Sequence, residues 1–333
     1  MLKLSGYEIE EKIHTGSKKI VYRGYSLNEQ RKVIIKVLKS KHPPLEDIAN
    51  LKQEYRIAKS LNCEGIVKCY NLKKENQLFA LISEDFGGQS LQRFLSSRSL
   101  DLSEFLRIAL LLTTTIGELH QASIIHKDIK PSNIIINPET GQVKITDLGI
   151  ASSLSSEQPA VVNPEVIEGT LAYMSPEQTG RMNRSLDYRS DFYSLGVTLY
   201  EMLTGILPFE AKEPIQMIHA HLAKEPVPPH QVNGEIPEAV SYIVMKLLAK
   251  NAEDRYQTAA GLKIDLENCL SQWRIKGQIE NFTLAQKDKG DRLLLPQKLY
   301  GRDKEVYTLI KAFVRIKVGR VDLVLVSGYS GFG

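Results

Sequence analysis

Short runs of apolar and β-branched residues occupy the first part of the chain, up to about residue 86. Such runs, with polar turns between them, are typical of β-strands. One stretch, residues 45–61, instead repeats apolar residues at the spacing of a helix. We therefore predict an antiparallel meander interrupted by one helix, with strands at residues 7–13, 20–25, 32–38, 66–70 and 78–82.

Beyond Gly87 and Gly88 the pattern becomes mainly helical. A hairpin pattern at residues 134–146 and a long serine-containing loop pattern at residues 152–169 interrupt it. The change at the two glycines predicts two lobes with a cleft between them. The predicted helices cover residues 91–95, 102–121, 191–203, 214–222, 237–250 and 258–270.

Composition narrows the class of protein. Among 333 residues, 42% are hydrophobic and 25% charged, and the net charge of +4 favours no nucleic-acid partner. No apolar run approaches the roughly 18 residues of a membrane helix, and the N-terminus lacks a signal-peptide pattern. Cys63, Cys69 and Cys269 have no metal-type spacing. We expect buried thiols in a cytoplasmic protein without a membrane segment.

The densest polar chemistry lies at residues 124–133, between two apolar runs. Asp128 offers a carboxylate, Lys130 a cation and Asn133 an amide oxygen. Further along the chain, Asp147 offers a second carboxylate beside Leu148 and the flexible Gly149. A base, a cation and two oxygen ligands indicate transfer of a polyanionic group with a divalent metal.

Lys36 lies inside an apolar strand pattern, where a lysine needs an anionic partner. Glu54, on the predicted helix of residues 45–61, is the candidate partner. The alternative for Glu54 is a solvated residue on the surface of that helix.

Several motifs follow one another along the chain: Lys36 in Val-Ile-Ile-Lys, Glu54, His126-Lys127-Asp128, Asn133, Asp147-Leu148-Gly149, Ser175-Pro176-Glu177, Asp191 and Arg255. In this order they resemble the motifs of the eukaryotic-type Ser/Thr protein kinase family, over about residues 7–270. The resemblance implies an α+β, bilobal protein-kinase-like fold with a small antiparallel β lobe (about residues 7–86) and a larger helical lobe (about residues 87–270).

The function implied by this resemblance is ATP-dependent phosphorylation of Ser/Thr hydroxyls on protein substrates, including the chain itself, in bacterial signal transduction. Catalysis of phosphoryl transfer is mostly positioning and charge neutralisation. By resemblance, Asp128 would orient the hydroxyl and accept its proton. Lys130 would neutralise the γ-phosphate and mark Ser/Thr specificity. Lys36, held by Glu54, would hold the α- and β-phosphates.

The resemblance also implies two cofactors, ATP and Mg²⁺. Asn133 and Asp147 would ligate the metal, and Thr170 would brace the catalytic aspartate. Ser83, before the hinge glutamate Glu84, predicts a small gate to the inner adenine pocket. The residues implied to contact the nucleotide are Ile13, Gly16, Val21, Lys36, Glu54, Glu84, Lys130, Asn133 and Asp147.

The sequence departs from the family at the phosphate loop, where three glycines are usual and only Gly16 remains. His14 and Lys19 occupy the other two positions. Either the loop tolerates one glycine, or the chain is a pseudokinase scaffold that binds partners through its helical lobe. We hypothesise that Lys19 adds a cation near the phosphates. A second departure, Lys127 for arginine, weakens the case for control by loop phosphorylation.

Residues 271–298 have the polar composition of a linker. After them, a helix pattern that includes Leu309 precedes a buried-type strand at residues 321–327. The final Gly-Tyr-Ser-Gly-Phe-Gly resembles a Walker A loop without its lysine. Residues 299–333 thus resemble the truncated start of an AAA-type P-loop ATPase domain, expected to be poorly ordered; a glycine-rich terminus is the alternative. A kinase followed by such an ATPase resembles large bacterial multi-domain signalling kinases.

Overall fold

The computed structural model describes residues 3–75, 77–153, 171–181 and 186–290, and residues 307–309, 311 and 315 nearer the C-terminus. The chain divides into two units, Met1–Asp291 and Arg292–Gly333. The first unit contains the predicted two lobes, a β-sheet lobe and a helical lobe, in an α+β fold. Among the described helices, none is both long and apolar enough to cross a membrane.

A five-stranded antiparallel sheet forms the first lobe, in the strand order β1-β2-β3-β5-β4. Alternation along β3 puts Val33, Ile35 and Val37 on one buried face. Lys36, of opposite parity, faces the other side. The strands are β1 (Tyr7–Thr15), β2 (Lys19–Ser26), β3 (Arg31–Leu38), β4 (Cys69–Glu75) and β5 (Leu78–Glu84).

The strand predicted at residues 66–70 is wrong over most of its length, because β4 begins only at Cys69. Ile66 and Val67 instead lie against the helical lobe. The Val67 N–H donates to the Ile145 carbonyl at 3.0 Å, and the Ile145 N–H donates to the Gly65 carbonyl at 2.7 Å. The apolar pattern does not distinguish this arrangement from a strand of the sheet, because its backbone partners are far away in the sequence.

Helix α1 (Leu45–Ser60) packs beneath the sheet and confirms the helix predicted there. It begins after Pro44, and its first turn carries Glu46 and Asp47, which favour the positive end of the helix dipole. Leu51 and Glu54 lie on its buried face. The glutamate is therefore buried, and the alternative of a solvated residue is excluded.

The helical lobe is built around α3 (Leu102–Gln121), whose apolar face is almost completely buried. A capping box between Asp101 and Glu104 fixes its start. The remaining helices of this lobe are α2 (Leu91–Ser97), α4 (Arg189–Thr204), α5 (Pro214–Ala223), α6 (Pro229–Val232), α7 (Glu238–Leu247) and α8 (Ala259–Lys276).

Short strands of the helical lobe flank the segments that contain the predicted site residues. The predicted hairpin is present as β8 and β9, with β6 paired to β8. The loop predicted from residue 152 differs at its start, because Ser152 and Ser153 pair with Ile125 and Ile124. These strands are β6 (Gln89–Ser90), β7 (Ile124–Ile125), β8 (Ile134–Ile136), β9 (Val143–Ile145) and β10 (Ser152–Ser153).

The segment expected to be a linker from residue 271 is structured in its first part. Helix α8 continues to Lys276, and the residues after it fold back onto the helical lobe. Trp273, Phe282 and Leu284 pack against the main core. The prediction is wrong here because these apolar residues are few and are spread among polar ones.

The three cysteines are buried free thiols, as expected. Burial raises the pKa of each, Cys63, Cys69 and Cys269, to about 12. They are therefore protonated and inert at neutral pH.

In the second unit, all five described residues are helical. They include Leu309, in the helix predicted there, and Lys311, whose Nζ lies 4.4 Å from the ring centroid of Tyr307. The predicted strand at residues 321–327 and the glycine-rich end lie outside the described residues.

A buried ion pair joins the segment before α4 to the loop before α8. Arg255 Nη1 lies 2.6 Å from Glu177 Oε1, and Arg255 Nη2 lies 2.8 Å from Glu177 Oε2. Both side chains are almost fully buried. Burial alone would raise the pKa of Glu177, but the guanidinium charge outweighs burial and holds it at about 2.

Removing the arginine should leave a buried, uncompensated carboxylate. We expect Arg255→Met to lower the free energy of unfolding by about 3–5 kcal/mol in urea titrations. Arg274→Met, at an exposed arginine on α8, should change it by less than about 0.5 kcal/mol. Equal effects of the two substitutions would contradict this account.

The low pKa of Glu177 also predicts a pH dependence. A carboxyl whose pKa is lower in the folded state stabilises above its unfolded value of 4.5, and that stability disappears as the pH falls through about 2. The stability difference between the wild type and Glu177→Gln, measured in urea, should therefore shrink between these two pH values. A difference independent of pH would mean that the carboxylate charge contributes nothing.

Candidate active site

A single buried carboxylate, Asp191 on α4, holds the loop that comes after β7. It accepts hydrogen bonds from the backbone N–H groups of His126 at 2.9 Å and Lys127 at 2.8 Å. His120 Nε2 lies 2.9 Å from the same carboxylate. Burial would raise the pKa of Asp191, but the hydrogen bond and charge of His120 outweigh burial and lower it. The loop therefore rests on an ionised, fully buried anchor.

His126 connects this loop to the chain segment before Asp147. Its Nε2 lies 3.1 Å from the Thr146 carbonyl oxygen, and its Nδ1 accepts the Asp128 N–H at 3.2 Å. The next residue, Lys127, has a φ of 68°, in the left-handed region that side chains rarely adopt. The Lys127 carbonyl accepts a bond from Gln178 at 2.8 Å. Contacts with Thr146 and with Gln178 therefore both fix the position of the loop.

The predicted catalytic residues lie together. Asp128 Oδ2 is 2.8 Å from Lys130 Nζ and accepts a 2.8 Å hydrogen bond from Asn133 Nδ2. In the part of the chain that is described, Asp128 Oδ1 is buried and has no hydrogen-bond partner. Buried carboxylate oxygens are normally satisfied, so the free hydrogen-bonding capacity of this atom is uncommon.

A cluster of two lysines and two carboxylates lies in the same cleft as Asp128. Lys36 Nζ is 2.5 Å from Glu54 Oε1 and 3.7 Å from Asp147 Oδ1. Lys19 Nζ is 2.8 Å from the same Asp147 oxygen and 3.8 Å from Glu54 Oε2. The anionic partner expected for Lys36 is therefore Glu54.

The charges of the cluster stabilise one another. Burial alone would lower the pKa of Lys36, but the charges of Asp147 and Glu54 hold it well above its ordinary value. Burial would raise the pKa of Asp147, but Lys36 and Lys19 hold it well below its usual range. Lys36 and Asp147 are therefore both charged at neutral pH.

Asn133 and Asp147 are the residues suited to a divalent cation. Both hydrogen bonds that Asn133 donates to Asp128 use its amide nitrogen, so its amide oxygen is the atom that fits a hard cation. Asp147 has a φ of 69° and its side chain is partly exposed to the cleft. A left-handed aspartate is uncommon and marks a position where the backbone is constrained for function.

One cleft of about 1020 Å³ contains every predicted site residue. This volume suits a molecule of nucleotide size. Ser83, the predicted small gate, is buried in the same cleft and lies opposite Ile34 across two paired strands. The residues predicted to act in the site and now placed in the cleft are Ile13, Gly16, Val21, Lys36, Glu54, Glu84, Asp128, Lys130, Asn133 and Asp147.

The hinge contains contacts that the sequence did not reveal. Glu84 Oε1 is 2.7 Å from Lys144 Nζ and accepts the Lys68 N–H at 2.7 Å. Its neighbour Asp85 pairs with Arg23 of β2 at 2.7 Å. The Glu84 side chain is therefore engaged by protein groups. Lys144 and Arg23 belong to none of the motifs described above, so only the fold identifies their partners.

Thr170, expected to brace Asp128, lies outside the described residues. The same holds for Ser155 and Ser156, two serines of the loop pattern predicted at residues 152–169. Ser152 and Ser153 are described and form β10.

Comparison with known proteins agrees with this geometry. Residues 7–265 match the family described as the protein kinase domain. The chain therefore belongs to the protein kinase family, and residues 7–265 form its protein kinase domain.

Several bacterial kinases are similar to the chain. It is 31% identical over 290 residues to the serine/threonine-protein kinase PrkC of Bacillus subtilis, covering 86% of this chain and 44% of that protein. It is 32% identical over 272 residues to PknB of Mycobacterium tuberculosis, covering 78% and 42%. The chain thus spans less than half the length of these relatives.

A further relative comes from a eukaryote. The chain is 30% identical over 321 residues to the hybrid signal transduction histidine kinase G of Dictyostelium discoideum, covering 70% of this chain and 9% of that protein.

Loss of the Asp191 charge should loosen the catalytic loop. We expect Asp191→Asn to speed hydrogen exchange of the His126 and Lys127 amides by at least about tenfold, because each loses a charged acceptor whose bond is worth about 1.5–3 kcal/mol. Glu235→Gln, at an exposed glutamate, should leave both rates unchanged. Unaltered protection of the two amides in Asp191→Asn would contradict the anchoring role.

Proposed function

We propose that this chain is an active Ser/Thr protein kinase that transfers the γ-phosphoryl group of ATP to protein hydroxyls. The carrying observation is the carboxylate of Asp128, which lines the same cleft as the charged cluster of Lys36 and Asp147. A carboxylate base and several fixed charges in one cleft are what phosphoryl transfer requires.

Each residue has a role in this proposal. Asp128 orients the attacking hydroxyl and accepts its proton at Oδ1. Lys130, 2.8 Å from Asp128 Oδ2, holds that carboxylate in place and neutralises charge on the transferred group. Lys36, fixed by Glu54, binds phosphate oxygens.

The cofactor part of the proposal is that ATP binds together with Mg²⁺, held by Asn133 and Asp147. The metal, when bound, neutralises phosphate charge. The backbone near Glu84, together with Ile13, Gly16 and Val21, would surround the rest of the nucleotide. Oxygen ligands of this kind are those that Mg²⁺ prefers.

The alternative is a pseudokinase scaffold. It is favoured by the atypical phosphate loop and by the contact between Lys19 and Asp147, which occupies an oxygen proposed to bind the metal. The scaffold would retain the fold and bind partners through its helical lobe without transferring phosphate.

We also propose the wider setting. Proteins, including the chain itself, are the proposed substrates, and the cytoplasm is the proposed location, in keeping with three unpaired cysteines. In place of the kinase domain at residues 1–270 and the linker at 271–298 expected from the sequence, we propose a kinase domain that extends to about residue 290. Residues 299–333 are the proposed start of an AAA-type ATPase. The glycine-rich pattern at the end of the sequence supports the ATPase, in an arrangement like that of multi-domain bacterial signalling kinases.

Transfer of label from γ-labelled ATP to a generic basic protein, in the presence of Mg²⁺, tests the activity. Asp128→Asn should lower the rate at least about 100-fold, because the proton acceptor is lost, while ATP binding persists. Glu139→Gln, at an exposed position outside the cleft, is the control and should keep the full rate. Binding of ATP without transfer by the wild type would favour the scaffold.

A further inference from the structure

Lys19 occupies the position of the third glycine in the phosphate loop. It begins β2, and its carbonyl accepts the Gly16 N–H at 2.9 Å, which closes the turn. From there its side chain reaches across the cleft to Asp147. The 2.8 Å distance between Lys19 Nζ and Asp147 Oδ1 is shorter than the 3.7 Å from Lys36 Nζ to the same atom.

The two carboxylate oxygens of Glu54 lie near different members of the same lysine pair. Its Oε1 is bound by Lys36 at 2.5 Å. Its Oε2 is buried without a hydrogen-bond partner among the described groups, and Lys19 Nζ lies 3.8 Å away. The two lysines and two carboxylates thus form a compact group whose charges balance.

Nucleotide binding would change this balance. The phosphates of ATP carry more negative charge than one divalent cation neutralises, so further cations nearby are favoured. A cation bound at Asp147 would satisfy the carboxylate that now holds Lys19. The flexible four-carbon stem of Lys19 would then let its ammonium group move to a phosphate oxygen without a change in the backbone.

We propose that Lys19 is a second phosphate-binding lysine, which shares with Lys36 the task of holding the phosphates of the bound nucleotide. This inference rests on the proposed function, since it assumes that a nucleotide occupies the cleft. The family's glycine provides only a close backbone approach at this position, whereas Lys19 provides a charge. In this loop, the charged side chain of Lys19 would then replace the close backbone approach to the phosphates that glycine allows.

Calorimetric titration with ATP and with adenosine, with and without Mg²⁺, tests the role of Lys19. Lys19→Met should weaken ATP binding at least about tenfold, since it removes a hydrogen bond between two charged groups. Adenosine affinity should stay the same, because adenosine has no phosphate, and this also shows that the variant is folded. Lys32→Met, at an exposed lysine of β3 outside the cleft, is the matched control and should bind both ligands like the wild type.

A second set of variants tests the sharing with Lys36. Lys36→Met should still bind ATP more tightly than adenosine, whereas the variant that lacks both lysines should lose most of that preference. Lys19→Arg, which keeps the charge, should restore part of the affinity lost in Lys19→Met.

The outcomes separate the two proposals. A wild type that prefers ATP to adenosine, together with a Lys19→Met variant that binds ATP equally or more tightly, would overturn the role of Lys19 alone. A wild type without any preference for ATP would overturn both the kinase function and this inference.

Discussion

Asp191 is the constraint on which the catalytic loop depends. Its buried carboxylate accepts hydrogen bonds from two consecutive backbone N–H groups and lies 2.9 Å from one imidazole nitrogen. The left-handed Lys127 costs free energy, and it persists because the anchor supplies more than that cost. Because α4 is itself packed in the core, the position of Asp128 depends on a buried helix of the helical lobe.

The second organising principle is charge balance within the cleft. Three of the four members of the charged cluster come from the β-sheet lobe and α1, while Asp147 lies just after β9 in the helical lobe. Their mutual attraction therefore acts across the cleft and draws α1 toward Asp147. The pairing of Lys36 with Glu54 is already formed, so α1 stands in a position compatible with catalysis.

Much of this could be predicted from the sequence, because the chemistry sits in ordered motifs and the helices are strongly periodic. The pairing of Lys36 with Glu54 and the gathering of the site residues followed from the motifs. The contacts of Lys144 with Glu84 and Arg23 with Asp85 did not, since surface-type lysines and arginines find partners only through the fold. The run at residues 66–70 shows the same limit, because an apolar pattern does not reveal which backbone it will meet.

The end of the first unit determines where this kinase can be separated from the rest of the chain. Asp288 accepts hydrogen bonds from the N–H groups of Gln257 and Thr258 and from the Thr258 hydroxyl. It lies so close to Gly261 that any side chain at that position would collide with it. A domain boundary at residue 265, where the family match ends, would separate Asp288 from Gln257 and Thr258. It would also expose apolar surface of the core to water. The folded kinase domain therefore ends near residue 290, beyond residue 265, where the family match ends.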